Sequence, residues 1–266
     1  MGISKILRNC NFSQKGHTYF IDINPLDEID KIRVFIELIK RAESYIHELL
    51  QSRSQRKLTI QLVRLDNTIE IVNSIPGFDI QVLGTGNRVT VYEGTIFHHC
   101  RMVLRSNTEI TIKKSKNNIT RLKIWGNCAR VIIGKDFSCW GIEIRCHEAQ
   151  SEVQIGDDCM FSEEILIYPT DVHAIYNNET KELLNEAKPI IIGNHVWCGR
   201  RVSVLKGSNI TDNSVIGMGS MVIGKFNSPN VIIAGSPAKI IKSNINWDRR
   251  NPFDWKYMKN VNSNIS

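Results

Sequence analysis

No stretch of this 266-residue chain is apolar for long enough to cross a bilayer as a helix, and the opening "MGISKILRNC" lacks the apolar centre of a secretory signal. The seven cysteines are odd in number and include no C-x-x-C pair, which argues against a disulfide framework and against a zinc ribbon. These absences imply reduced thiols and a cytoplasmic location. Acidic side chains are scarce at one end only. Residues 190–266 hold 10 basic and 3 acidic groups, against 11 and 9 in 1–75 and 13 and 15 in 76–189. A basic end suits a phosphate-bearing or polyanionic ligand. No RNP, KH, zinc-finger or helix-turn-helix pattern accompanies it, so the charge does not by itself imply nucleic acid.

Helical periodicity is also missing from most of the chain. The exception is residues 25–52, within an N-terminal segment 1–75. Asn24 can cap a helix there and Pro25 fits its first turn. Ile29, Ile32, Ile36, Ile39, Ile46 and Leu50 form one apolar stripe. From Leu58 to Ile167 the chain instead shows short β-branched runs such as "KLTIQLV" and "NRVTVYEG", broken by Gly, Asn and Asp.

What is present after Pro189 is a repeat of six. "IGNHVW", "CGRRVS", "VLKGSN", "ITDNSV" and "IGMGSM" follow one another without a gap. Ile192, Cys198, Val204, Ile210 and Ile216 take the first position, and small residues take the fifth. "IGKDFS" at Ile133 and "IGDDCM" at Ile155 start alike. An apolar residue every six positions points inward, and three such units make a coil of roughly eighteen residues that stacks through parallel strands. The expected fold is mainly β, a parallel β-helix over 76–242 with an N-terminal helical segment. The polar run "AIYNNETKELLNEAK" reads as a loop over 174–189, and 243–266 as a tail capping the open end of the helix.

Three stretches, "MFSEEILIYPTDVHAIY", "IIIGNHVWCG" and "IIAGSPAKII", carry a resemblance. The chain resembles the hexapeptide-repeat acyltransferases, and within them the O-acetyltransferases of bacterial capsules and other surface polysaccharides, including sialic-acid polymers. The likeness covers residues 124–242. It implies a left-handed β-helix, acetyl-CoA as co-substrate, no metal, a sugar or glycan acceptor, and a homotrimer with active sites between subunits. By motif it makes His173 the catalytic base and places Trp197 along the acetyl-CoA channel, with Ala234, Gly235, Pro237 and Lys239 near the CoA end. Gly199, Gly217 and Lys225 join that cofactor set.

Chemistry supports the same residues. Acetyl transfer to a hydroxyl needs a base, and imidazole suits that work near neutral pH. Asp171, two residues earlier, could orient the ring, as could a backbone carbonyl. Trp197 precedes an inward position and so projects outward, where it could wall the acetyl group. Its N–H could also help hold an oxyanion. Tyr176 and Asn177 in the loop are candidates for touching the acceptor. His195 reads as a surface turn residue. Cys198 falls at an inward position, where a thiol behaves as a small hydrophobe, so direct transfer is expected without an acyl-cysteine. Three alternatives stand beside this reading. One is acetylation of a small molecule such as a nucleotide-linked amino sugar, serine or an antibiotic. Another is a metal-dependent β-helix hydratase using His147, His173 and His195. The last is an idle scaffold.

Overall fold

The computed structural model describes residues 11–15, 18–22, 58–63, 67–71, 77–92 and 94–256. The helix expected over 25–52 lies outside them. The described chain winds into a parallel β-helix whose strands fall into three sheets. Sheet I contains Glu109–Ile112, Ala129–Ile133, Ser151–Ile155, Ile190–Ile192 and Asn209–Ile210. Sheet II contains Asn118–Thr120, Ser138–Cys139, Met160–Phe161, Trp197–Cys198 and Val215–Ile216. Sheet III contains Cys100–Leu104, Leu122–Gly126, Ile142–Cys146, Ile165–Tyr168 and Ser203–Leu205. Each coil visits I, II and III in turn. At the N-terminal end the antiparallel pairs Asn11–Lys15 with Thr18–Asp22 and Leu58–Val63 with Asn67–Ile71 extend sheet I.

The core is a column of single residues stacked one per coil and face. In sheet III, Ile124, Ile144, Ile167, Val204 and Val222 follow one another in register, all buried. The repeat's first positions, from Ile192 to Ile216, point inward as the six-residue pattern requires, and its small fifth positions Ser208, Ser214 and Ser220 are buried as well. Alternation of inward and outward side chains along each strand is the geometric cause.

Corners explain the glycines of the I-G-x-x units. At the exit from sheet I, the side chain of Asp157 accepts a hydrogen bond from the Lys135 N–H, Asn194 accepts from Asp157, and Asp212 accepts from Asn194. The partners are 22, 37 and 18 residues apart. Gly134, Gly156 and Gly193, which precede Lys135, Asp157 and Asn194, pack so closely on the next coil that a side chain does not fit. A Cβ on Gly156 would lie 2.5 Å from the Gly193 carbonyl oxygen, and one on Gly193 would lie 2.3 Å from an Asp212 carboxylate oxygen.

Candidate active site

The step of 37 residues marks an insertion at the corner between sheets III and I, after Tyr168 and before Ile190. Residues 169–189 leave the β-helix there and return, and Lys188 donates its backbone N–H to the Pro169 carbonyl to close the base. His173 stands in the first arm of this loop. Its side chain is exposed, and among the described residues its ring has no hydrogen-bond partner.

The backbone carrying that ring is tightly held. The His173 N–H donates to the Asp171 carbonyl at 2.7 Å, a bond spanning two residues, and Val172 between them has φ 68. This is a γ-turn of the rarer, positive-φ kind, here built on a β-branched residue. Thr170, buried at the loop base, accepts the Val172 N–H at 3.0 Å and donates its hydroxyl to the Glu148 carboxylate. Glu148 comes from the corner one coil below. Lys206, from the corner one coil above, donates to the Asp171 carboxylate and to the Asn185 carbonyl. The loop root is therefore gripped from both neighbouring coils.

Asn185, in the returning arm, completes the grip. It is only 7 % exposed. Its Oδ1 accepts the Ile175 N–H at 2.7 Å, and its Nδ2 donates to the His173 carbonyl at 2.8 Å and to the Asp171 carboxylate at 3.0 Å. Sequence reasoning missed both Asn185 and Lys206. Their partners are 14 and 35 residues away, and no short motif signals them.

Among the described residues Asp171 makes no hydrogen bond to the imidazole. Its Oδ2 accepts from both Lys206 and Asn185, and these two hydrogen bonds hold its pKa below the usual carboxylate range. Asn177, expected at the acceptor, uses its Oδ1 to accept the N–H groups of Glu179 and Thr180 at the loop tip. That leaves only its amide N–H₂ for any ligand. Tyr176 is exposed, bridges to Leu183 and lies under the Lys181 ammonium, 5.5 Å from the ring centroid. With Ala174, Lys181 and Leu183 it lines an open concavity of about 360 Å³.

Trp197 lies elsewhere. It projects outward from sheet II, 38 % exposed, while Cys198 beside it is fully buried. Burial pushes the Cys198 thiol well above its ordinary pKa. Along sheet II the residues in register with Trp197 are Met160, Val215 and Ile232, an apolar column ending at Lys242 on the hairpin that also carries Lys239. Ala234, Gly235 and Pro237 form the end of that hairpin. Lys225 belongs to sheet I and not to this column. Gly199 and Gly217 have an internal reason for lacking side chains: a Cβ would come within 2.8 Å of the Met218 N–H nitrogen at the first and 2.9 Å of the Ala234 Cβ at the second.

His195 is more than a turn residue. Its ring stacks on Trp247 with centroids 4.1 Å apart, its Nδ1 lies 2.8 Å from an Asp158 carboxylate oxygen, and its Nε2 lies 3.1 Å from the Trp247 carbonyl. The described tail does not cap the open end. It runs back along the corner between sheets I and II, where Asp136, Asp158, His195, Asn213 and Asn230 all have positive φ. Ile245 pairs with Asn230, Trp247 with His195, and Arg249 bonds to Asp158, Ser138 and the carbonyls of Asp136 and Cys159. This strap sets Trp247 6.2 Å from Trp197.

His147 packs between Trp125 and Tyr168, so the structure does not assemble His147, His173 and His195. Among the described residues no group of three His, Cys, Asp or Glu is placed to hold a metal ion, and no helix is long and apolar enough to cross a membrane.

No protein-family profile matches the chain. Individual relatives do. A polysialic acid O-acetyltransferase of Neisseria meningitidis is 37 % identical over 198 residues, 70 % of this chain and 87 % of that protein. One from Escherichia coli O1:K1 / APEC is 36 % identical over 121 residues, 46 % of this chain and 39 % of that protein. The galactoside O-acetyltransferase of Escherichia coli K12 is 36 % identical over 110 residues, 41 % and 53 % of the two chains. Among solved structures, the polySia-specific acetyltransferase NeuO superposes with a TM-score of 0.58 and 28 % identity, covering 71 % of this chain and 95 % of that one. These relatives, each named as an acetyltransferase, define the class of this parallel β-helix as an acyltransferase. The chain belongs to the hexapeptide-repeat O-acetyltransferase family.

Proposed function

We propose that the protein transfers an acetyl group from acetyl-CoA to a hydroxyl of a sialic-acid-containing surface polysaccharide, with His173 as general base. The observation that carries this reading is the loop: a ring with no hydrogen-bond partner among the described residues, mounted on a tightly held turn at one corner of the β-helix. The relatives named for polysialic acid support the acceptor class. In the reaction His173 takes the proton of the sugar hydroxyl as its oxygen attacks the thioester carbonyl. The resulting imidazolium returns the proton to the CoA sulfur as the C–S bond breaks, giving the acetyl ester and free CoA. Cys198 has no part in this, because its thiol is buried and is not ionised at neutral pH.

The sheet II column suits acetyl-CoA. Met160, Trp197, Val215 and Ile232 offer an apolar path for the pantetheine arm, and Lys239 and Lys242 at its end offer cations for the phosphates. Sheet II lies across the triangular section from the corner between III and I, where His173 stands. Within one subunit the two halves face opposite ways, which supports a homotrimer whose sites join the loop of one copy to sheet II of the next.

The test is release of free thiol from acetyl-CoA with polysialic acid, other capsular glycans, free amino sugars and chloramphenicol, for wild type and His173→Ala. Turnover with polysialic acid that collapses in the variant is expected. Turnover confined to small acceptors overturns the acceptor, and a variant that keeps wild-type turnover overturns the base.

A further inference from the structure

Asn185 is a buried amide with each of its bonds fixed by the chemistry of its partners. The Ile175 N–H can only donate, so it must face Oδ1. The His173 carbonyl and the ionised Asp171 can only accept, so they must face Nδ2. The amide cannot turn over without breaking all three. These bonds bracket His173, touching the backbone at residues 171, 173 and 175, and they span the positive-φ turn at Val172. A β-branched residue in that region persists only where its surroundings over-determine it. Lys206 holds both Asp171 and the Asn185 carbonyl, tying the bracket to the coil above.

We infer that Asn185 is a positioning residue for His173: it holds the strained turn closed and so fixes the direction in which the imidazole leaves the loop. The inference rests on His173 being the base. Asn185 itself touches neither substrate nor the reacting atoms, and Lys206 supports it. An aspartate at this position reverses the chemistry of one arm. Its ionised carboxylate sets oxygen against the His173 carbonyl and the Asp171 carboxylate, both acceptors. Protonated, it regains one donor. The defect of Asn185→Asp is therefore pH-dependent in a way that simple loss of packing is not.

The experiment compares wild type, His173→Ala, Asn185→Asp, Asn185→Leu and the exposed neighbour Glu186→Gln as full-length proteins. It measures kcat and KM for acetyl-CoA from pH 5.5 to 8 with polysialic acid, together with thermal unfolding. At neutral pH both Asn185 variants are expected to lose at least about tenfold in kcat, since small misplacements of a reacting group cost that much or more. KM for acetyl-CoA stays near the wild-type value. Relative to wild type at the same pH, Asn185→Asp recovers toward pH 5.5 and Asn185→Leu does not. Glu186→Gln matches wild type. If His173→Ala abolishes turnover while Asn185→Asp keeps full kcat at neutral pH, the inference fails and the proposed base stands. An Asn185→Asp defect of equal size at every pH assigns Asn185 a structural role and also overturns it. If His173→Ala remains active, the proposed base falls and the inference falls with it.

Discussion

The coils before the inserted loop and those after it solve one packing problem in two ways. Before it, strands such as Leu122–Gly126, Ala129–Ile133 and Ser151–Ile155 run five residues, and ladder partners at the corner are 22 residues apart. After it, the strands of sheets I and III shrink to two or three residues and the spacing tightens to 18. The inward column passes through both without a break. Coil length is thus free to vary as long as each strand presents its alternate residues inward and each corner has room to turn. The inserted loop sits at the seam between the two regimes. A corner there absorbs the extra chain, while the coils on either side hold its root through Glu148 and Lys206.

The largest expected effect tests whether the two faces act from different copies. His173→Ala and Trp197→Ala proteins, each nearly inactive alone, should regain turnover when unfolded together and reassembled. In the proposed intersubunit site His173 comes from one copy and Trp197 from its neighbour, so random mixing is expected to restore about a quarter of sites. Absence of recovery, with trimers confirmed by size, would show that both residues serve from one chain.

A smaller effect tests the common corner rule. Gly156→Ala in the wide coils and Gly193→Ala in the tight ones should each cost about 1–3 kcal/mol by overpacking, read from denaturant midpoints. A large cost at one and none at the other would mean that the two regimes do not share their corner geometry.

The smallest is a pH effect on the seam. The Asp171 pKa is held down in the folded protein by Lys206 and then Asn185. A depressed carboxylate contributes stability above its unfolded pKa and loses it as pH falls through the folded value. Asp171 should therefore stay ionised throughout the assay range, and its carboxyl resonance, followed by NMR, should titrate below the usual carboxylate range. In Lys206→Met that midpoint should move upward. An unchanged midpoint would remove Lys206 as the cause.

How much of this was legible depended on distance along the chain. The tight coils announced themselves because a fixed step of six keeps Ile192, Cys198, Val204, Ile210 and Ile216 in one frame. The wide coils carry the same inward logic, but their corners vary in length and shift the frame, so only "IGKDFS" and "IGDDCM" surfaced. His173 and Trp197 could be singled out from local motifs. Asn185 and Lys206 could not, because coil stacking brings them to Asp171 and no sequence spacing does. The observed partners of Asp171 met the same limit: Lys206 and Asn185 lie 35 and 14 residues away. The strap was unreadable because Arg249 finds its acceptors 90 to 113 residues upstream.

That strap has a consequence for how the fold is reached. A β-helix is assembled from contacts between successive coils, so it can grow from any nucleus by adding neighbours. Trp247 and Arg249 break that rule, since their partners His195, Asp158 and Asp136 belong to coils long since wound when this part of the chain arrives. Docking the strap raises the contact order of an otherwise local topology, and higher contact order goes with slower folding. It also closes the molecule on itself: peeling coils from the C-terminal end first requires undoing a clasp fastened in the middle.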